Sequence, residues 1–152
     1  MRVLRNLRLV FHTVRGHFRD IERQAGVSGA QVWALSVVRD RPGIRLGELA
    51  QALDIHQSTA SNLIKRLAEQ GMLDAVRPDG DRRIVELHVT PLARSVLRRA
   101  PAPLAGVLPD ALEKLSHETL ARLEGDLDTL LALLGADRRA ARVPLGQADT
   151  QG

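Results

Sequence analysis

The sequence predicts a mainly helical chain interrupted by one small β-hairpin, an α+β protein with long helices at both ends. Three observations carry that prediction. Leucine-rich stripes at helical spacing occupy residues 3–24 and 116–135. Between them the apolar period changes from 3.6 to 2 near Met72 and returns to helical at Thr90. The core must also be aliphatic, because the 152 residues include two Phe, one Trp and no Tyr at 44% hydrophobic content. Leu, Val, Ile and Ala in those proportions favour helix packing.

Residues 3–24 carry Leu4, Leu7, Phe11, Val14, Phe18 and Ile21 at alternating steps of three and four, the a/d spacing of a helix that meets another helix. Residues 29–40 continue with Val32, Trp33, Leu35 and Val38 and are closed by Arg41-Pro42-Gly43. Residues 46–53 form a short helix burying Leu46, Leu49, Ala50 and Leu53, and Asp54-Ile55-His56 make a tight turn. The next helix, residues 57–70, buries Ala60, Leu63, Ile64 and Leu67 and meets a C-terminal glycine, Gly71. Met72–Arg77 and Arg83–Val89 then alternate as strands around Pro78-Asp79-Gly80-Asp81. Thr90-Pro91 opens another helix with a capping hydroxyl and a first-turn proline, and Pro101 and Pro103 stop or kink it. Ser116 and Glu118 begin the last helix, whose Leu120, Leu123, Leu127, Leu130 and Leu134 repeat the 3-4 spacing up to Gly135. Residues 136–152 lack apolar periodicity and are expected to form a flexible tail.

Composition excludes several classes of function. With no cysteine, disulfides, thiol sensing and Cys-based zinc sites are absent. No uncharged apolar run is long enough to span a membrane, and the basic N-terminus is not followed by the apolar core of a signal peptide. The expected location is the cytoplasm. The net charge of +4 invites a polyanionic partner, yet its distribution is uneven. Residues 1–23 hold six arginines against two acids, whereas residues 54–90 hold five cations against six acids. Bulk charge would therefore point to the first helix as the polyanion site.

The direction of individual side chains points elsewhere. Helix, tight turn, helix and hairpin is the order of a winged helix-turn-helix. Opposite its apolar side, the 57–70 helix carries Gln57, Ser58, Ser61, Asn62 and Lys65, with Thr59 and Arg66 alongside. Amides and hydroxyls of this kind reach base edges and phosphates, while an ordinary solvated face is richer in paired Glu and Lys. Arg77, Arg82 and Arg83 flank the hairpin turn, where a guanidinium can enter a narrow minor groove. Asp81 is placed to pair with Arg83 and leave Arg82 to the DNA; surface ion pairing of all these charges is the plainer alternative.

From Leu46 to Thr90 the residues resemble the MarR family of bacterial regulators. The likeness is carried by Leu49-Ala50, by Ser58-Thr59-Ala60-Ser61 with Leu67 and Gly71-Met72-Leu73, by Asp81-Arg82-Arg83, and by Leu87-His88-Val89-Thr90. With the flanking helices it extends over residues 4–135. It implies a single domain, residues 1–135, with a winged DNA-binding lobe at 28–91 and dimerisation helices at 3–24 and 92–135. It also implies a homodimer that sets two reading helices into successive major grooves of a pseudo-palindrome in double-stranded DNA. A repressor released by a small, often aromatic or phenolic, effector held between the dimer helices and the reading lobe is implied as well. His12, His17 and Trp33 are the candidates to line that effector site. The chain departs from the family pattern at His56 and Arg45, which stand where small capping residues are usual, and at Pro101 and Pro103, which interrupt a helix that is often long. The missing cysteine excludes the peroxide-sensing branch.

No catalytic arrangement or cofactor motif appears, so the chain is not read as an enzyme. His12 and His17 lie about 140° apart around their helix and cannot chelate a metal jointly. The rival reading from another class is a helical dimer acting as an architectural or protein-interaction module without an effector.

Overall fold

A computed structural model of the chain describes residues 1–78, 83–137, 141–142 and 144–145. Its elements in order are α1 (Arg2–Ala25), α2 (Gly29–Asp40), α3 (Leu46–Ala52), α4 (Gln57–Glu69), β1 (Leu73–Val76), β2 (Glu86–Val89), α5 (Pro91–Arg99), α6 (Val107–Glu113) and α7 (His117–Leu134). The mainly helical fold with a two-stranded wing is the one expected from the sequence.

Helix α2 is the hub, packing on α1, α3, α5 and β2. Ala30, Val32, Ala34, Leu35 and Val38 are buried along it, and Ile21 of α1, Leu49 of α3, Leu67 of α4, Leu87 of β2 and Val96 of α5 close around them. Each such aliphatic side chain contributes about 1.5–3 kcal/mol on leaving water. Helix α2 starts where the sequence places it, at residue 29, through a cap that the sequence reading does not name. Ser28 Oγ accepts from the Gln31 N–H while the Gln31 side chain accepts from the Ser28 N–H, a complete capping box. Gly29 sits where α1 and α2 touch, and a β-carbon there would lie 2.5 Å from Phe18 Cδ1. Any larger residue there would have to push the Phe18 ring aside.

Three differences from the sequence expectation have physical causes. The strands are shorter than Met72–Arg77 and Arg83–Val89. Met72 closes α4 by donating its N–H to the Leu67 carbonyl, and the antiparallel ladder runs only from Leu73↔Val89 to Val76↔Glu86. Alternating side chains suit extended backbone, but a ladder also needs a partner in register. Ile44 supplies a bridge to Leu87 from outside the hairpin. Helix α6, not separately expected, begins after the break at Pro101 and Pro103. It tolerates Pro109 because first-turn N–H groups have no partner within a helix. The tail is not wholly detached either, since Arg142 accepts a hydrogen bond from His56 N–H at 3.3 Å and Pro144 is buried.

The terminal helices leave much of their apolar surface open. In α1 only Ile21 and Ala25 are buried, while Leu4 and Phe11 are exposed. In α7 no residue is buried, although Leu127, Leu130, Leu131, Leu133 and Leu134 lie on it. No described helix is long and apolar enough to cross a membrane.

Candidate nucleic-acid interface

The interface is built on α4, whose two ends are fastened by the same backbone device. At the end of α3, Asp54 adopts a left-handed conformation (φ 51°). Its N–H bonds to the Gln51 carbonyl and the Ile55 N–H to the Ala50 carbonyl. This is a Schellman turn, with Ile55 buried as its apolar plug. At the end of α4, Gly71 (φ 72°) and Met72 repeat the pattern onto Ala68 and Leu67. Two side-chain bonds add to that anchorage. Gln31 Nε2 donates to Gln70 Oε1 at 2.8 Å, tying α2 to α4. The Thr90 hydroxyl donates to the Gly71 carbonyl at 2.7 Å and accepts from the Ala93 N–H. A reading helix held at both ends presents its side chains without reorganisation.

Ala60, Leu63 and Leu67 are buried and Ile64 is half-buried. Ser58, Ser61, Asn62 and Lys65 lie on the opposite side of the helix, about 100° per residue placing them within one exposed stripe. Gln57 and Arg66 are also exposed at its margins, and Thr59 is half-buried. The structure thus brings the seven predicted α4 residues to one end of the lobe with the apolar side facing the core. His56 provides no side-chain cap, and among the described residues no other side chain accepts from the first-turn N–H groups of α4. Those groups and the helix dipole attract anions.

Arg77 is exposed just beyond β1, and Arg83 is exposed on the other side of the turn. Arg82, with Asp79, Gly80 and Asp81, lies outside the described residues. The preceding helix, α3, shows what a long N-cap residue does. Glu48 accepts from the Arg45 N–H at 2.9 Å, while the Arg45 guanidinium has no acceptor atom with which to complete the box.

The three effector candidates have different surroundings. His17 is half-buried with Nε2 3.1 Å from the Pro103 carbonyl, a bond donated when Nε2 carries the proton. Trp33 is half-buried against the core and His12 is exposed. A groove of about 470 Å³ opens instead beside the α3–α4 turn, between Gln51, Asp54, His56, Gln57 and Arg142, and none of the three borders it. Among the described residues no three of the possible metal ligands gather.

Two helices joined by a tight turn, an aliphatic core behind the second, a polar stripe before it and a β-wing beside it define a winged helix-turn-helix. Comparison with known proteins agrees. The MarR family pattern matches residues 25–84. The chain is 28% identical over 134 residues to the putative transcriptional regulatory protein for the hcr operon of Thauera aromatica, covering 83% of this chain and 76% of that one. It is 24% identical over 123 residues to the uncharacterized HTH-type transcriptional regulator YsmB of Bacillus subtilis (strain 168), covering 81% and 84%. Its fold is similar to that of Streptococcus pneumoniae FabT, solved in complex with DNA, with a TM-score of 0.58 at 20% identity over 88% of this chain and 96% of that one. Over residues 25–84 the chain is similar to the MarR family, and the relatives it matches along most of its length are described as transcriptional regulators. Members of that family are DNA-binding regulators and not enzymes.

Proposed function

We propose that the chain is a cytoplasmic, homodimeric repressor that reads a pseudo-palindromic operator in double-stranded DNA and is released by a small, aromatic or phenolic effector. The observation that carries the reading is the sorting of α4. Its Ala60, Leu63 and Leu67 are in the core while Ser58, Ser61, Asn62 and Lys65 face solvent on the opposite side. The open leucine faces of α1 and α7 support a dimer, since an amphipathic helix with no apolar surface covered gains little beyond its intrinsic propensity. A two-fold dimer carries two reading helices, which suits half-sites about 34 Å apart along DNA. Occupying both grooves of an operator that overlaps a promoter excludes polymerase, and this is the repressor mechanism. On this reading the effector site lies between the dimer helices and the reading lobe, with His12, His17 and Trp33 as its candidate lining.

The test is selection of bound duplexes from random DNA, repeated with a panel of phenolic carboxylates. Enrichment of one inverted repeat, lost when one compound is present, is the expected outcome. Enrichment of no sequence would favour the architectural alternative, and a repeat insensitive to every compound would remove the phenolic effector.

A further inference from the structure

The tail approaches the reading helix in a manner that suits a partner of negative charge. From Arg138 to Ala148 the chain has three arginines and no acid. Within it, Arg142 and Pro144 are docked on the protein, the Arg142 carbonyl accepting from His56 N–H at 3.3 Å and Pro144 being buried. Arg142 and Gln57 border the same groove at the N-terminal end of α4. The side chain of Arg142 is exposed. Among the described residues no carboxylate forms an ion pair with it, Asp54 across the groove included.

Among the described residues that line the groove, Arg142 is the sole Lys or Arg. Between Leu46 and Ile64 the chain carries Glu48 and Asp54 and no Lys or Arg. The first turn of α4 therefore meets a phosphate with amides and the helix dipole alone, while Lys65 and Arg66 serve its far end. A tail that masked the reader would cover Ser58, Ser61 and Asn62, and these are exposed. The protein contact is made by a backbone carbonyl, which leaves the guanidinium to the solvent side.

We propose that the docked part of the tail around Arg142 is a DNA-binding arm in which Arg142 contacts the phosphate backbone beside the N-terminus of α4. This rests on the DNA-binding reading above. The probe is a fluorescent 30-base-pair duplex of random sequence, titrated by anisotropy with the full chain and its variants from about 50 to 200 mM salt. Arg142→Ala is expected to weaken binding about three- to tenfold at the low end and to make the slope of log affinity against log salt shallower by about 0.9, one phosphate contact. Arg142→Lys should stay near the parent, because a phosphate contact reads charge. Arg122→Ala on α7 removes the same charge elsewhere and should leave the slope unaltered. Equal affinity for Arg142→Ala overturns the arm, as does an equal loss in Arg122→Ala. Tighter binding by Arg142→Ala overturns it in favour of a masking tail. If the parent chain fails to bind the duplex at low salt, the DNA-binding reading itself falls, and the arm with it.

Discussion

At the residue scale, the side chains on the exposed side of α4 divide by what they can read. Asn62 can bond one adenine edge bidentately, Nδ2 donating to N7 and Oδ1 accepting from the N6 amino group, and such a pair discriminates against other bases by about 1–3 kcal/mol. Asn62→Ala should therefore relax preference at one position of each half-site and leave the others intact. A wing cation meets phosphates and the minor groove, where it makes no bidentate bond to a single base edge. Arg82→Ala should weaken binding to all sequences by a similar factor and reduce the salt slope. Anisotropy against the selected site and its single-base variants separates the two patterns. Uniform weakening by Asn62→Ala would remove it from base reading. Residues 57–66 were legible in the sequence because helical period and residue chemistry agree. Gln31 was not, since its bond to Gln70 joins residues 39 positions apart and has no local signature.

At the element scale, the caps decide where helices stop and how α4 is aimed. Thr90 is the most heavily used, because one hydroxyl caps α5 and holds the Gly71 carbonyl at the end of α4. Loss of a capping hydroxyl costs about 0.5–2 kcal/mol, and the second bond puts Thr90→Ala in the upper part of that range. Urea denaturation should show a lower midpoint at unchanged slope, with Thr90→Ser recovering most of it. An unchanged midpoint would mean that water replaces both bonds at no cost. The cap itself is readable as Thr-Pro at a helix start, and Ser116 is readable in the same way, its Oγ accepting from the Thr119 N–H. The extent of the strands is not readable, since Ile84 and Val85 favour extended backbone yet lie beyond the last paired residues, Val76 and Glu86.

At the scale of the whole molecule, the unsatisfied surface is the leucine face of α7 with that of α1. Leu130 is 37% exposed and Leu134 69%, values suited to a helix that awaits a partner. Placing a charge there should leave the winged lobe folded, because its core does not include α7. Leu130→Glu is expected to give a monomer by light scattering at micromolar concentration and to lose binding to a two-half-site operator by far more than to a single half-site. A dimer of unchanged mass would remove α7 from the interface.

By itself the sequence determined every helix but α6, their sorted faces, the caps at Thr90 and Ser116 and the turn chemistry around α4. All of these arise from interactions within a few positions along the chain and survive whatever the rest of the molecule does. Tertiary structure alone decided the length of the wing, the Ile44 bridge, the Gln31–Gln70 tie and the return of Arg142 to His56. Each of those pairs residues far apart in the chain. Such contacts exist only after folding has met the entropy of closing the loops between them, so no local pattern announces them.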